Sequence, residues 1–338
     1  MNFIRSALVA LIFVFSPSVF SAEQIIIKFS HVVAPVTPKG KAALKFKELA
    51  ELRTKGQVKV EIYPNSQLYK DREELEALQL GAVQMLAPSL SKFGTMGLRE
   101  FEVFDLPYIF PNKESLHRVM DGDIGKKLLA KLEAKGIIGL AYWDNGFKQM
   151  SANKPLHAVE DFKGLKMRIQ PSKVLEAQMK ALGANPQVMA FSEVYSALQQ
   201  GVVDGTENPI SNVYTQKMHE VQKHLTISAH GYLGYGVIVN KKFWESLPKD
   251  TRATLEQAMQ EATEYERGIA QQENDEALSK IKAAGTTEIY VLPLIDRVRW
   301  HKVLLPVHME FESAIGKELI YAIYNVAAQV EKEKAVKK

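Results

Sequence analysis

Few reactive side chains in this sequence stand at the spacings that catalysis or metal binding requires. His219, Glu220 and His224 resemble the HExxH zinc motif, but the two histidines are five positions apart. On a regular helix they would point about 140° apart, so one metal ion could not bind both. We therefore expect no metal site in this segment, which is more typical of a surface helix.

Nucleotide-binding and hydrolase motifs are also missing from the sequence. Gly231, Gly234 and Gly236 stand in the wrong order for a dinucleotide loop and lie in a β-rich run. These glycines are predicted to allow a close backbone approach or a bend. The sequence contains neither a GxSxG nucleophile elbow nor a phosphate-binding P-loop. The motifs indicate no cofactor, although scattered serines, histidines and carboxylates could still meet in the fold.

Arg168 is the side chain whose position suggests ligand chemistry. It lies between Met167 and Ile169 in a buried-looking strand, and Ser172 begins a predicted helix just after it. Sheets of the α/β class place ligands at such strand ends. Burying a guanidinium is costly unless it meets an anion, and a carboxylate can accept two parallel hydrogen bonds from it. Periodicity alone leaves two partners open, a ligand carboxylate or an internal Asp or Glu.

Two polar segments next to predicted strands could present further binding groups. Residues 204–209 are predicted to form a tight turn that offers the Asn208 amide to a ligand, or a plain turn whose Asn and Asp bond to backbone groups. Residues 143–148 are predicted to end a strand and to offer Lys148 beside an aromatic surface, or to form only a solvated turn.

The elements that would position these residues alternate between strands and helices. In the first half, strands are predicted at residues 24–30, 58–63, 83–87 and 137–143, and helices at 39–53, 71–80 (capped by Asp71), 113–120 and 124–135. A second α/β unit follows, with strands at 165–169 and 187–189 and from 202, and helices at 172–182 and from Ser192 to Gly201. This alternation predicts an α/β fold with mostly parallel sheets.

A long helical stretch follows the two α/β units. Residues 250–284 contain no proline and a single glycine, Gly268. A continuous helix of that length would measure about 52 Å, which is too long for one small domain. We infer that it lies across both domains. Residues 294–330 are predicted to form further helices.

Composition and charge exclude several classes of protein. The chain has 338 residues, of which 46% are hydrophobic, a length that suits two domains with real cores. The absence of cysteine excludes a disulfide scaffold, a thiol nucleophile and thiolate metal sites. With 43 basic against 39 acidic residues, the charge balance indicates no nucleic-acid partner.

The first 22 residues have the layout of a secretory signal peptide. Arg5 precedes an apolar run at residues 7–15, and Pro17 is followed by small residues at Ser21 and Ala22. An uncleaved membrane anchor is the alternative, but the run is shorter than the roughly 20 residues that a membrane span needs. We therefore expect export to the periplasm, with cleavage near Ser21 or Ala22.

Several segments, in order, resemble signatures of the solute-binding proteins of TRAP transporters. They are residues 63–68 (YPNSQL), 106–108 (LPY), 162–168 (FKGLKMR), 190–199 (AFSEVYSALQ) and 203–209 (VDGTENP). Residues 29–33 (FSHVV) and 145–152 (NGFKQMSA) bring the resemblance closest to the C4-dicarboxylate-binding, DctP-type branch. The resemblance covers essentially the whole mature chain.

This resemblance implies a fold and a set of domain boundaries. The fold is a two-lobed periplasmic binding protein of the α/β class, with mostly parallel sheets flanked by helices and a long helix spanning both lobes. Lobe I is expected at residues 23–145 and 234–273, and lobe II at 146–233 and 274–338. The ligand cleft is expected between the lobes.

The resemblance also implies the binding residues. Arg168 would form the main salt bridge to a ligand carboxylate, and Asn208 would bond to the same group. Phe191 would pack near the ligand, and Lys148 would act as a second cation. The resemblance further places four residues at the cleft by position alone, namely His31, Lys39, Ser89 and Tyr235.

The function implied is capture rather than catalysis. The protein would bind malate, succinate or fumarate, close its lobes, and deliver the ligand to membrane-embedded TRAP permease subunits. We expect a monomer with no cofactor and no bound metal. Three alternatives stay open: another organic acid as ligand, a role in presenting the ligand to a sensor, and an exported hydrolase, which would need a base and a nucleophile within hydrogen-bond reach.

Overall fold

The computed structural model describes residues 24–336. The predicted signal peptide, residues 1–22, lies outside the described residues. The strands are β1 (Ile25–Ser30), β2 (Val58–Tyr63), β3 (Met85–Leu86), β4 (Ile137–Ala152), β5 (Lys166–Ile169), β6 (Asn185–Val188), β7 (Gly205–Asn208), β8 (His224–Asn240) and β9 (Glu288–Val291).

Helices fill most of the intervals between these strands. They are α1 (Pro38–Arg53), α2 (Glu74–Gln79), α3 (Lys113–Asp121), α4 (Asp123–Lys131), α5 (Lys173–Ala181), α6 (Val194–Gln199), α7 (Ile210–Thr215), α8 (Met218–Val221), α9 (Lys241–Ser246), α10 (Lys249–Ala284), α11 (Leu294–Leu304), α12 (Pro306–Glu310), α13 (Glu312–Ile315) and α14 (Lys317–Val336). Short 3-10 segments include Leu90–Met96, Arg99–Asp105 and Phe191–Glu193. Within the described range, every helix is too short or too polar to serve as a membrane span.

The strands join into one mixed sheet in the order β2-β1-β3-β8-β4-β7-β5-β6, with β9 beside β8. Pairing is parallel at both ends of the sheet, as between β1 and β2 and between β5 and β6. The central pairs, β3 with β8, β8 with β4 and β4 with β7, are antiparallel. We call strands β1–β3 with helices α1–α4 the β1 half, and strands β5–β7 with helices α5–α8 the β5 half.

The two long central strands, β4 and β8, connect these halves. The pairing of the central strands shows that two sequence predictions were wrong. Residues 143–148 do not end a strand, because β4 continues through them to Ala152. The register of β4 against β8 shifts between Asp144 and Gly146 and again between Lys148 and Met150, so both strands bend where they cross. Residues 204–209 are likewise no simple turn, since β7 occupies most of this segment and pairs with β4. Pairing with distant strands overrides the local turn propensity in both places.

The structure also tests the sequence predictions about helix caps and glycines. Asp71 does not cap α2, which begins at Glu74, and Ser192 lies inside a 3-10 turn before α6. The prediction for two glycines of β8 is confirmed. A Cβ atom at Gly234 would lie 2.4 Å from the Tyr232 hydroxyl, and one at Gly236 would lie 2.9 Å from the Phe93 ring.

Helices α13 and α14 return to the β1 half, whereas α12 contacts α5 of the β5 half. The sequence assigns all three to lobe II, yet Ile315 and Ile323 belong to the same buried cluster as Phe104. On the surface of this contact, Arg118 of α3 pairs with Glu333 at 2.7 Å. Helix α11 packs on the other side, where Trp300 lies against Phe162 with ring centroids 5.1 Å apart.

The predicted long helix is confirmed as the 36-residue α10. It packs on α1 at one end and on α7 further along. Asn274, buried near its middle, binds both the crossing strand and the β5 half. Its Nδ2 donates to the Asn145 carbonyl at 2.8 Å, and its Oδ1 accepts from the Ser211 amide at 2.9 Å. One side chain therefore ties the long helix to β4 and to α7.

We predict that Asn274→Ala lowers the free energy of unfolding by about 2–4 kcal/mol, because two buried backbone groups each lose their hydrogen-bond partner. Urea unfolding followed by circular dichroism measures this change. Gln272→Ala is the control, since Gln272 lies on the same helix but is exposed, and its change should stay below about 0.5 kcal/mol. Equal effects of the two variants would contradict the assigned role of Asn274.

Candidate functional site

A cavity with about 260 Å³ of empty space lies between the β1 half and the β5 half. Four of the residues predicted from the sequence line it, namely Ser89, Phe191, Asn208 and Tyr235. Its wall also contains polar residues that the sequence reading missed as site residues: Asp71, Lys92, Gln170 and Asn212. Arg168, Lys39, His31 and Lys148 do not line the cavity, but Arg168 lies against the lining residue Phe191 and Lys39 against the lining residue Tyr235. Four predicted residues therefore share this cavity, and part of its polar wall was not predicted.

Arg168 is buried beside the cavity with 1% of its surface exposed. Its Nε and Nη2 both donate to the Met189 carbonyl, at 3.0 and 2.8 Å, and its guanidinium lies 5.7 Å from the ring centroid of Phe191. Among residues 24–336, no carboxylate lies within 4.0 Å of it. Burial lowers the pKa of this guanidinium, although Asp71 and Glu207 act in the opposite direction from further away. The internal salt bridge that the sequence left open is therefore not formed in the described structure.

Asn208 ends strand β7 and is buried at the cavity. Its Nδ2 lies 3.3 Å from Thr206 Oγ1 and 3.8 Å from the Met218 sulfur, both of which are weak partners by distance. The amide is therefore held in place without being committed to a strong acceptor. An incoming carboxylate could take that hydrogen bond.

Lys148 is engaged in a buried ion pair. Its Nζ lies 2.6 Å from Glu207 Oε1, and Glu207 Oε2 also accepts from Gln178 Nε2 and contacts His230 Nε2, each at 2.8 Å. Burial is the largest single effect and opposes ionisation of Glu207, but the charge of Lys148 and the hydrogen bonds with His230 and Lys148 together outweigh it and hold the pKa of that carboxyl well below its usual range. The charge of Lys148 is thus matched inside the protein.

The same cluster contains a serine, a histidine and a glutamate, each in contact with the next. Ser228 Oγ lies 2.7 Å from His230 Nδ1, and His230 Nε2 contacts Glu207. This is the proximity that a hydrolase would need, but Ser228 and His230 are completely buried. Because both side chains are completely buried, no substrate reaches the hydroxyl in this structure.

Lys39 is the second buried cation without an ion pair. It lies in the first turn of α1, and its Nζ donates to the Ala87 carbonyl at 2.9 Å and sits 3.7 Å from the ring centroid of Tyr235. No carboxylate of residues 24–336 lies within 4.0 Å of that Nζ. Burial lowers the pKa of Lys39 to about 7, partly opposed by the charge of Glu74. The positive charge is held close to the cavity by a carbonyl and a ring face.

Several buried polar atoms around the cavity have no hydrogen-bond partner in the described part of the chain. They are both ring nitrogens of His31, Asn212 Oδ1 and the Tyr235 hydroxyl. Burial and the nearby charge of Lys39 lower the pKa of His31 to about 3, so its imidazole is neutral at pH 7. Buried polar groups without hydrogen-bond partners are costly in a protein interior. Their concentration here indicates a binding site for a polar ligand.

Asp71 connects the two halves of the molecule. Its Oδ1 lies 2.8 Å from Lys92 Nζ, and its Oδ2 accepts from the Phe191 amide at 2.8 Å. Burial works to raise the pKa of Asp71, but the charges of Lys92 and Arg168 outweigh it and bring the pKa to about 2. Lys92 pairs in addition with Glu74. Local pattern reading assigned Asp71 to a helix cap because its partners lie far away in sequence.

Other contacts also bridge the two halves. Gln170 Nε2 donates to Ser89 Oγ at 2.9 Å, and the Lys173 amide at the start of α5 donates to Glu102 Oε1 at 2.8 Å. On the surface, Lys70 pairs with Glu193 at 2.9 Å. The halves therefore touch around the cavity, which is the arrangement of a closed cleft.

The zinc motif considered in the sequence is not assembled. His219 lies in α8 and His224 begins β8, so the two side chains belong to different elements. Residues 24–336 contain no group of three or more metal-ligating side chains.

Comparison with known proteins identifies the family. The model of the DctP family, described as bacterial extracellular solute-binding protein, family 7, matches residues 29–314. The chain belongs to this family. It is 68% identical over 308 residues to the C4-dicarboxylate-binding periplasmic protein DctP of Rhodobacter capsulatus, covering 91% of this chain and 92% of that protein. The resemblance inferred from the sequence is thereby confirmed.

Solved structures of solute-binding proteins share the fold. A TRAP periplasmic solute-binding protein from Sulfurospirillum deleyianum, with bound succinate, is 50% identical and superposes with a TM-score of 0.87, over 90% of this chain and 99% of that one. A second, from Pseudomonas aeruginosa with bound L-malate, is 44% identical with a TM-score of 0.82, over 85% and 99% of the two chains. The two-lobed α/β fold of these DctP-family proteins is the fold of this chain.

The buried charge of Lys39 predicts a pH-dependent stability for this DctP-family protein. Because its folded-state pKa of about 7 lies below the ordinary 10.5, the unfolded chain binds the proton more tightly. The folded state is therefore penalised increasingly as the pH falls through that interval. We expect the free energy of unfolding of Lys39→Met, relative to the unchanged protein, to rise when the pH falls from about 9.5 to about 6.5. The loss of the Ala87 hydrogen bond adds a constant that does not alter this trend.

Urea unfolding of ligand-free protein at the two pH values measures the effect. Lys126→Met is the matched control, because Lys126 is exposed, and its relative stability should not change with pH. A pH-independent difference for Lys39→Met would show that its charge is not penalised by burial.

Proposed function

We propose that this protein is the periplasmic solute-binding component of a TRAP transporter and that it captures a C4-dicarboxylate such as succinate, malate or fumarate. The observation that carries the proposal is the buried Arg168 guanidinium, which has no carboxylate partner in residues 24–336 and lies against Phe191, a lining residue of the cavity between the halves. A ligand carboxylate would supply the anion that the described chain does not place beside Arg168. The relatives that bind succinate and L-malate support the choice of ligand.

Two uncompensated cations favour a ligand with two carboxylates. Arg168 approaches the cavity behind Phe191, and Lys39 approaches it behind Tyr235. The first cation belongs to the β5 half and the second to the β1 half, so a dianion between them would be held by both halves. Asn208 would donate its amide to the carboxylate at Arg168. Ser89, Tyr235 and His31 would offer polar contacts around the other carboxylate.

In this proposal Lys148 acts through its charge. Its ammonium group is bound to Glu207, so it supports the ligand by neutralising the carboxylate that lies near Arg168. Without that neutralisation, Glu207 would compete with the ligand for the guanidinium.

Binding proceeds by capture between two lobes. We propose the sequence-based boundaries, residues 23–145 with 234–273 and 146–233 with 274–338, with one change: residues 312–336 are assigned to the first lobe, because α13 and α14 pack in its core. Closure removes water, which strengthens each charged hydrogen bond. Such bonds contribute about 1.5–3 kcal/mol each. A micromolar dissociation constant needs about 8 kcal/mol, so a few of them suffice together with closure.

The proposal also covers the location of the protein, its partner in transport and whether it is an enzyme. Residues 1–22 would direct the chain to the periplasm and be cleaved near Ser21 or Ala22, and the loaded monomer would deliver its ligand to membrane-embedded permease subunits. The protein would perform no catalysis and need no cofactor. The family consists of solute-binding proteins, and the buried Ser228 supports a structural rather than a catalytic role for its cluster.

Arg168→Lys tests the central contact. Lysine keeps the positive charge but lacks the planar guanidinium, which can donate two parallel hydrogen bonds. We therefore expect succinate affinity to fall ten- to a hundredfold, equivalent to about 1.5–3 kcal/mol. Isothermal titration calorimetry measures affinity, and circular dichroism checks the fold. Arg299→Lys, at an exposed position, is the control. Unchanged succinate affinity in Arg168→Lys would refute the assignment.

A thermal-shift panel identifies the ligand class. At about a thousand times its dissociation constant, a ligand stabilises the folded state by roughly 4 kcal/mol. We expect a rise in melting temperature with succinate, L-malate or fumarate and none with acetate or a sugar acid. A rise with the sugar acid alone would select another ligand within the family, and turnover of any compound would favour the hydrolase.

A further inference from the structure

A second concavity, which shares no lining residue with the ligand cavity, lies elsewhere on the surface. This groove encloses about 900 Å³ of space that opens to solvent. Its walls include Tyr108, Phe110, Phe147, Leu294, Arg297 and Val298. A narrower crevice continues from it along the same aromatic residues toward Tyr232.

The groove is assembled from three parts of the molecule. Tyr108 and Phe110 follow the 3-10 segment Arg99–Asp105, and Phe110 belongs to the core of the β1 half. Phe147 and Ala229 come from the crossing strands β4 and β8. The third wall is helix α11, whose Trp300 packs against Phe162 in the core of the other side. Because these walls come from both sides of the molecule, a change in the relative position of the lobes would change the shape of the groove.

Polar atoms inside the groove lack partners. The Tyr108 hydroxyl and Arg297 Nε are buried and form no hydrogen bond with any residue in the range 24–336. The same range holds no carboxylate within 4.0 Å of Arg297. The His301 ring stands edge-on to Tyr108, with centroids 5.5 Å apart. Because Arg297 lines the groove and has no such carboxylate partner, the groove offers a positive charge to an anion.

Two residues that line the groove have strained backbone conformations. Tyr108 and Ala229 both adopt positive φ angles, +58° and +47°, in a region that costs residues other than glycine about 1 kcal/mol or more. The Tyr108 amide donates to the His230 carbonyl at 2.8 Å, which ties the strained loop to β8. The loop is thus fixed to the strand that crosses between the halves.

Apolar side chains extend beyond the groove along α11. Leu294 is 76% exposed, Ile295 62% and Val298 56%. Three such residues within little more than one helical turn, next to an aromatic groove, form a larger apolar surface than a small acid would cover. The occupant that fits is an extended segment with apolar residues and one carboxylate.

We propose that this groove is where the closed protein docks an apolar, carboxylate-bearing segment of its membrane partner. The inference rests on the proposed transport function and assigns it a surface. The acidic side chain would bind Arg297, while the apolar residues cover Leu294 and Val298. Since walls of the groove come from both sides of the molecule, opening of the lobes would change its shape, and docking there would distinguish loaded protein from empty protein.

The test separates ligand binding from delivery. Succinate affinity is measured by calorimetry, and uptake of radiolabelled succinate is measured in proteoliposomes that contain the cognate permease subunits. The variants are Leu294→Asp, Val298→Asp and Arg297→Glu. Leu80→Asp is the matched control, because Leu80 is 78% exposed and lies away from the groove. We expect the groove variants to bind succinate within twofold of the unchanged protein but to reduce uptake at least tenfold, and the control to change neither.

Other outcomes overturn the docking site. Full uptake by Leu294→Asp and Arg297→Glu, with normal binding, would do so directly, and the high exposure of Leu294 makes misfolding an inadequate explanation for any loss. Calorimetric binding of decanoate that Arg297→Glu abolishes, with uptake intact, would assign the groove to a small acid. A dimer that Val298→Asp dissociates, with uptake intact, would assign it to a second copy. Absence of succinate binding by the unchanged protein would instead refute the proposed function.

Discussion

The arrangement of this site depends on a buried guanidinium that the described chain does not neutralise at contact distance. Desolvation of a charge in a protein interior costs several kcal/mol unless a partner compensates it. Arg168 receives a backbone carbonyl and an aromatic face, which orient it without cancelling its charge. Asp71 stands far enough away to lower the cost without forming an ion pair. The site therefore attracts an anion, because the protein leaves part of the compensation to the ligand.

The neighbouring buried cations show the contrast. Lys92 is paired with Asp71 and Glu74, and Lys148 is paired with Glu207. Those pairs hold the cavity walls together, and replacing one partner would leave a buried charge uncompensated. Lys39 resembles Arg168, since it has a carbonyl and a ring but no carboxylate of the described chain nearby. The distinction between paired and unpaired cations separates the groups that build the cleft from those available to a ligand.

How far the sequence could predict this arrangement depends on the range of the interactions. Strand β1, helix α1 and helix α10 follow from local periodicity, and the structure confirms them. The buried polar stretch around Asn145 was predicted as a turn because its composition is that of a turn, whereas its β conformation is imposed by pairing with β8, some 90 residues away. Arg168 was identifiable because an arginine in an apolar strand is anomalous by itself. The pairing of Lys148 with Glu207 was not, because nothing near either residue in the sequence signals the other.

The return of the C-terminal helices to the β1 half has a consequence for folding. Leu75 and Ile323 contribute to a single hydrophobic core, so the first lobe cannot be completed until nearly the whole chain is available. Chains dominated by such distant contacts fold slowly. In the export proposed above, this topology would postpone completion of the first lobe until the last helices have been translocated.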